Sequence, residues 1–311
     1  MKTSRRQFAK TALLASAGTV LAQETSAPSF EFNYVLSSAM YGEMPLDVIL
    51  PEVRKTGARA IDLWCRVHGN QREQAEAMGD EAFAALLAEH EVELGVSTRY
   101  PLGPFGLQDE MKWLAGLDGK VVVCGSKGPR EPSGAEAKAG VKDFLEKMKP
   151  HVAVAEELGV TIAIENHDRQ LLFTPDSLRY FAEFNTSKHL GVAFALHHLH
   201  LFVEEIPALI RDLGKEQIPF LYCQEHSAGI REKAPKEIEM QQLPGFGGGL
   251  DYRPIVAALA EIEFDGYAEI FMHPVPRGIP ILPTAAAITA AINKSRRYLE
   301  TCLTEVSAKK A

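Results

Sequence analysis

The sequence predicts an α/β protein, a closed (β/α)8 barrel that forms a single domain. Eight short apolar segments alternate with longer amphipathic ones, at a spacing of about 30 to 40 residues. Apolar segments of this kind are typical of parallel strands that are covered on both faces. Eight such units favour a closed barrel. An open doubly wound sheet is the alternative, but no GxGxxG follows the first strand.

The strands and helices follow one another along the chain in strict alternation. Glycines end two of the helices, Gly57 after the first and Gly159 after the long one. The strands are expected at residues 32–37, 60–65, 92–97, 120–124, 161–164, 189–194, 218–224 and 267–272. The helices are expected at 45–54, 80–89, 108–117, 135–158, 175–184, 204–213, 252–261 and 285–303. One long, glycine-rich connection at 227–251 is typical of a functional loop.

The N-terminus, residues 1–23, is interpreted as a twin-arginine export signal. The pair Arg5 and Arg6 precedes a modestly apolar run, 11–21, and a boundary of small residues. An ordinary secretory signal or a short membrane anchor is the alternative. Export by the twin-arginine machinery predicts a periplasmic protein without a stable membrane anchor. We expect a linker at 24–31, the barrel at 32–303 and a tail at 304–311.

The composition of the chain indicates which class of molecule it binds. The net charge of −8 argues against a nucleic-acid surface, which needs clustered Lys and Arg. The four cysteines are scattered and form no CxxC pair, so we expect buried small hydrophobes and not a disulfide framework. A small-molecule substrate is therefore favoured, and a homo-oligomer is compatible with the sequence.

Histidines gather at the carboxyl ends of the predicted strands, where a barrel places its active site. Seven of the ten histidines lie there: His68, His167, His197, His198, His200, His226 and His273. Carboxylates accompany them, in particular Glu165 after the fifth strand and Glu269 on the eighth. Nitrogen and oxygen ligands together predict one divalent metal ion, Mn, Zn, Co, Fe or Mg.

Simpler roles are open for several of these residues. Glu165 and Glu269 could instead be ion-paired to a basic residue, and His198 could cap a neighbouring helix. Gln224 and His226 share one face of their strand, with Glu225 on the other, unless the chain twists after the strand.

Four segments carry a resemblance to a known family. They are Ile164-Glu165-Asn166-His167, Gly191-Val192-Ala193-Phe194 leading to His198, Phe246-Gly247-Gly248-Gly249-Leu250-Asp251-Tyr252-Arg253-Pro254-Ile255, and Tyr267-Ala268-Glu269-Ile270. In combination they resemble the xylose isomerase-like TIM-barrel family of sugar phosphate isomerases and epimerases. The similarity covers about residues 32–303.

The resemblance implies a metal held by a glutamate after strand five, an aspartate after strand six, a histidine after strand seven and a glutamate on strand eight. Glu165 and Glu269 match the two glutamates. Ala195 stands where the aspartate is expected, so His198 is the expected substitute, and Gln224 falls in the strand-seven region. The implied metal ligands are Glu165, His198, Gln224 and Glu269.

The function implied is isomerisation or epimerisation of a sugar or keto-sugar. Glu165 and Glu269 would abstract and return a proton next to a carbonyl, through an enediolate. Groups expected to bind the substrate are His68, His167, His226, His273 and Arg277. Cleavage of a 3-keto-glycoside by the same enolate chemistry is an alternative, and a sugar-binding barrel without activity is another. Periplasmic export favours a non-phosphorylated carbohydrate.

Overall fold

A computed structural model describes residues 30–308. Within that range the eight strands form a closed parallel barrel in the order β1 to β8, and β8 pairs back onto β1. The predicted (β/α)8 barrel is therefore confirmed. The strands are β1 Asn33–Ser37, β2 Ala60–Trp64, β3 Glu93–Thr98, β4 Val121–Gly125, β5 Thr161–Glu165, β6 Leu190–Ala195, β7 Phe220–Cys223 and β8 Tyr267–Ile270.

Ten α-helices in the described range surround or connect the strands. They are α1 Leu46–Val53, α2 Gln71–Met78, α3 Asp80–Glu89, α4 Gln108–Gly116, α5 Gly134–Leu158, α6 Pro175–Phe184, α7 Ile206–Leu213, α8 Lys236–Met240, α9 Tyr252–Glu261 and α10 Ala285–Ala308. The sequence pattern predicted eight of these and located most ends within two residues. Gly159 ends α5, and Gly57 ends the 3-10 turn Arg54–Thr56 that follows α1; both are in the left-handed conformation, with φ of 66° and 85°.

Two helices were not predicted, α2 and the short α8. The segment of α2 is polar, so it lacks the apolar periodicity that marks a helix. Tertiary hydrogen bonds hold it instead, because the amides of Gln71 and Gln74 both donate to the carbonyl of Met44, at 2.9 and 3.2 Å. The helix α8 lies inside the connection predicted as a loop at 227–251.

The core is continuous through the barrel and the layer between strands and helices. All four cysteines are buried and free, as expected. None of the helices within residues 30–308 is long and apolar enough to span a membrane. The segment interpreted as an export signal lies outside the described residues, and that interpretation stays a prediction.

Candidate metal centre and active-site cavity

A cavity of about 540 Å³ opens at the carboxyl ends of the strands. All seven histidines expected at the strand ends contribute to its lining. The other lining residues are Val67, Asp168, Arg169, Ile230, Arg231 and Arg277. A cavity of similar volume, about 580 Å³, lies between α5 and residues 184–190, but no histidine lines it. The chemistry of the lining therefore marks the barrel mouth as the candidate site.

Three side chains at this mouth converge closely enough to hold one metal ion. Glu165, His167 and His198 each offer a ligand atom, and these atoms lie within 4.8 Å of one another. Nε2 of His198 is 3.7 Å from Oε1 of Glu165. Two imidazoles and a carboxylate are a donor set that suits Zn²⁺ and other first-row divalent ions, so the residues present fit such an ion.

The turn after β6 places His198 in this group. The amide of Asn166 donates to the carbonyl of Ala195 at 3.0 Å and accepts from its N–H at 2.7 Å. This reciprocal pair ties the end of β5 to the end of β6. The chain then enters a 3-10 turn, Leu196–Leu199, which carries His198 over the mouth. The ring of His198 lies 3.9 Å from that of His167, centroid to centroid.

Asp168 lies behind both imidazoles. One of its carboxylate oxygens is 3.0 Å from Nδ1 of His167 and 3.2 Å from Nδ1 of His198. Because Nδ1 of each ring faces Asp168, Nε2 is the ring nitrogen that is left to bind a metal ion. Burial lowers the pKa of His167, but its hydrogen bond to Asp168 and the charge of Glu165 outweigh burial and raise it to about 9. Sequence reasoning missed Asp168, although it directly follows His167.

Glu165 ends β5 beside His198, which lines the cavity, and Glu165 itself is buried, with 4% of its surface exposed. The hydroxyl of Tyr100 donates a hydrogen bond to Oε2 of Glu165. The hydroxyl of Tyr222 lies 3.5 Å from that of Tyr100. Both tyrosines follow or end strands, β3 and β7, so a list of aromatic residues at strand ends would have found them.

Glu269 lies deeper in the barrel and is 0% exposed. Its carboxyl group interacts with that of Asp62, and burial raises the pKa of both carboxyl groups. Trp64 lies two residues after Asp62, and Phe271 lies two residues after Glu269, so both rings are nearer the mouth than the carboxyl groups. The two rings stack on each other at 4.8 Å. The convergent group of three at the mouth does not include Glu269.

The side chains of Gln224 and His226, which follow β7, also lie in different environments. The side chain of Gln224 is fully buried, and its Nε2 donates to Oε1 of Gln242 at 2.8 Å. His226 is exposed and lines the cavity, where it stacks on His200 at 3.7 Å. The predicted pairing of Gln224 and His226 on one face therefore does not bring both side chains into the cavity lining.

Burial keeps most of the remaining imidazoles neutral near pH 7. It lowers the pKa of His68 to about 4, with a smaller contribution from the charges of Arg277 and His167. It also lowers the pKa values of His197, His198 and His273. Neutral imidazoles both donate and accept hydrogen bonds, as binding of sugar hydroxyls requires.

The sequence of this chain matches a known family model. The family model of the xylose isomerase-like TIM barrel matches residues 50–298. No curated protein is similar enough in sequence to count as a match.

Solved structures similar to this chain include three with low sequence identity. A D-tagatose 3-epimerase-like protein has a TM-score of 0.63 and 18% identity, over 90% of this chain and 100% of its own. An L-ribulose 3-epimerase has a TM-score of 0.65 and 14% identity, over 90% and 97%. The IOLI protein with a binding zinc atom has a TM-score of 0.62 and 16% identity, over 89% and 99%. At such identities the similarity establishes the fold.

Proposed function

We propose that this chain, which belongs to the xylose isomerase-like TIM barrel family, is a divalent-metal-dependent isomerase or epimerase of a sugar or keto-sugar. The observation that carries the proposal is the convergence of Glu165, His167 and His198 within 4.8 Å at the cavity. The substrate class is supported by the similar epimerase structures, and the metal by the similar protein with bound zinc.

A divalent ion bound there would supply the positive charge that polarises a substrate carbonyl and acidifies the neighbouring C–H. Glu165 is the carboxylate assigned to accept that proton, because it converges with His167 and His198, which line the cavity. Tyr100 holds Oε2 of Glu165 by a hydrogen bond, so the carboxylate keeps one orientation while the proton moves. Delivery of a proton to the adjacent carbon completes an isomerisation, and delivery to the opposite face of the same carbon completes an epimerisation.

The histidines of the wall bind the rest of the substrate in this proposal. His68 and His273 are neutral near pH 7, so they can donate to or accept from hydroxyl groups without adding charge. His226 and His200 also line the cavity and stack on each other. Glu269 is also expected to take part in proton transfer, and that role stays a prediction. Its carboxyl group lies beside Asp62, beneath Trp64.

Export to the periplasm is part of the same proposal and rests on Arg5 and Arg6 in the N-terminal segment. A non-phosphorylated carbohydrate is the substrate class that fits this compartment. The cavity of about 540 Å³ has the volume of a small-molecule site.

Metal analysis and solvent exchange test the proposal. The mature protein should bind one divalent ion per chain and exchange a C–H proton of its keto-sugar substrate with deuterium from heavy water. Glu165→Gln should lower the exchange rate by about 100-fold or more, because the amide cannot accept the proton. Glu146→Gln is the matched control, since Glu146 is exposed on α5 and pairs with Lys149.

The alternatives give different results in the same assay. Cleavage of a 3-keto-glycoside would release a leaving group and leave an unsaturated product in place of an epimer. A sugar-binding barrel would bind carbohydrate without exchange. A protein without stoichiometric metal whose Glu165→Gln variant is as active as wild type would overturn the proposal.

A further inference from the structure

The wall of the cavity is basic, although the whole chain carries a net charge of −8. Three arginines line it, Arg169, Arg231 and Arg277, and Asp168 is the one acidic residue of the lining. A negatively charged protein with a positively charged cavity wall has a positive electrostatic potential at the cavity mouth.

Two of the three arginines already have a counter-charge. Arg231 forms an ion pair with Asp168. Nε of Arg169 lies 3.9 Å from the same carboxylate. Both side chains are also largely exposed, at 54% and 72%, so water screens them further.

Arg277 differs from the other two. Its side chain is half-buried, and no carboxylate in residues 30–308 lies within 4.0 Å of it as an ion-pair partner. Burial, which disfavours a charged group, lowers the pKa of Arg277. Glu239 is the carboxylate whose charge acts on it, but Glu239 is paired with Lys236 and accepts from the N–H of Val275 at 3.1 Å.

Two backbone carbonyls fix the guanidinium of Arg277 in place. Nη1 donates to the carbonyl of Pro274 at 2.6 Å, and Nη2 donates to that of Ile230 at 2.6 Å. Each carbonyl satisfies one N–H, so further N–H groups of the guanidinium stay available. The result is a rigid, partly desolvated cation without a counter-charge, in the wall of a substrate cavity.

The surroundings of Arg277 suit a carboxylate better than a phosphate. His68 and His273, which lie beside it, are neutral near pH 7. The lining contains no lysine and no glycine, and thus lacks the backbone cradle that phosphate sites use. One guanidinium and neutral imidazoles match a single negative charge.

We propose that Arg277 binds a carboxylate group of the substrate, and that the substrate is therefore a sugar acid, a uronate or its keto form. This inference rests on the proposed function for the reaction itself, but not for binding. The carbonyl end of the sugar acid would lie at Glu165, His167 and His198, with its carboxylate at Arg277.

The test compares matched pairs that differ only in one group, a hexuronate against the corresponding hexose, by titration calorimetry with the metal-loaded protein. We expect the uronate to bind more tightly and its affinity to fall as sodium chloride rises, while the affinity of the hexose does not change with salt. Arg277→Gln should weaken binding of the uronate by about 10- to 100-fold and leave the hexose within about twofold.

Two further variants secure the interpretation. Arg277→Lys keeps the charge but not the planar fork, and should retain part of the preference. Arg66→Gln removes an arginine next to the mouth that does not line the cavity and is 62% exposed, so it should bind both ligands as wild type does.

Equal affinity for uronate and hexose in the wild type would overturn the inference, and so would an equal loss for both in Arg277→Gln. An inorganic phosphate that displaces the uronate with higher affinity would also overturn it. If uronates bind through Arg277 but none exchanges a C–H proton, the carboxylate site stands and the proposed reaction fails.

Discussion

Nδ1 of His198 lies 3.2 Å from a carboxylate oxygen of Asp168. A carboxylate behind a metal-binding imidazole fixes its tautomer and its orientation. Ala195 stands where the family resemblance implies an aspartate, and His198 follows three residues later. Asp168 therefore supplies a carboxylate behind the imidazole of His198. The geometry makes Asp168 a positioning residue for the proposed metal centre.

Asp168→Asn should therefore weaken metal binding, because an amide does not hold both imidazoles in the required tautomer. We expect a loss of about 10- to 100-fold in affinity, measured by competition with a chromophoric chelator. Asp109→Asn is the matched control, since Asp109 is 97% exposed and pairs with Lys112 on α4. Unchanged affinity in Asp168→Asn, together with a loss in His198→Ala, would contradict a positioning role.

Tyr100→Phe should lower kcat by about 10-fold while the bound metal stays at one ion per chain. The variant removes the hydrogen bond to Oε2 of Glu165 but leaves the ring beside Trp64. Steady-state kinetics and metal analysis on one preparation check both parts. Tyr180→Phe on α6 serves as the control and should behave as wild type. A loss of metal in Tyr100→Phe would show that the tyrosine acts through the ligands.

Glu269→Gln should make the protein more stable than wild type at pH 8. Burial raises the pKa values of Asp62 and Glu269 above those of the unfolded chain. The folded state then keeps a proton that the unfolded state has lost, so the free energy of unfolding falls as pH rises above about 4. An amide cannot ionise, and we expect a gain of at least about 1 kcal/mol at pH 8.

Urea unfolding at pH 5 and pH 8 measures this difference, with Glu146→Gln as an exposed control. A pH dependence of stability in Glu269→Gln equal to that of wild type would contradict the raised pKa of Glu269 in the folded state. The same variant decides the catalytic prediction, since turnover equal to that of wild type would remove Glu269 from the reaction.

Gly266→Ala should destabilise the barrel by about 2 to 3 kcal/mol. A Cβ at this position would lie 2.6 Å from the carbonyl oxygen of Ile218 and 2.7 Å from the carbonyl carbon of Pro219. These are backbone atoms next to β7, and they cannot move without disturbing the pairing of Phe220 with Tyr267. Gly116→Ala is the control, because its Cβ would meet no atom within 4 Å. Thermal unfolding of both variants checks the prediction.

The sequence by itself determined the order of strands and helices and the face on which the site lies. Apolar segments and the glycines at positions 57 and 159 are local signals, and a helix or strand forms where its own residues favour it. Parallel strands all carry their carboxyl ends to one face, so the positions of seven histidines relative to the strand ends were enough to place them together.

Tertiary structure decided which of these side chains meet. Glu165 and Glu269 both lie at the ends of apolar strands, yet only Glu165 belongs to the group of three side chains that converge at the mouth. Glu269 and Phe271 point inward on the same face, and Phe271 stacks on Trp64 above the carboxyl group. The depth of the Glu269 carboxyl group depends on how the strands are staggered around the barrel, and the sequence of one strand does not reveal that stagger. The path of the loop after β5 likewise brings Asp168 behind His198, thirty residues further along the chain, a contact that spacing along the chain does not predict.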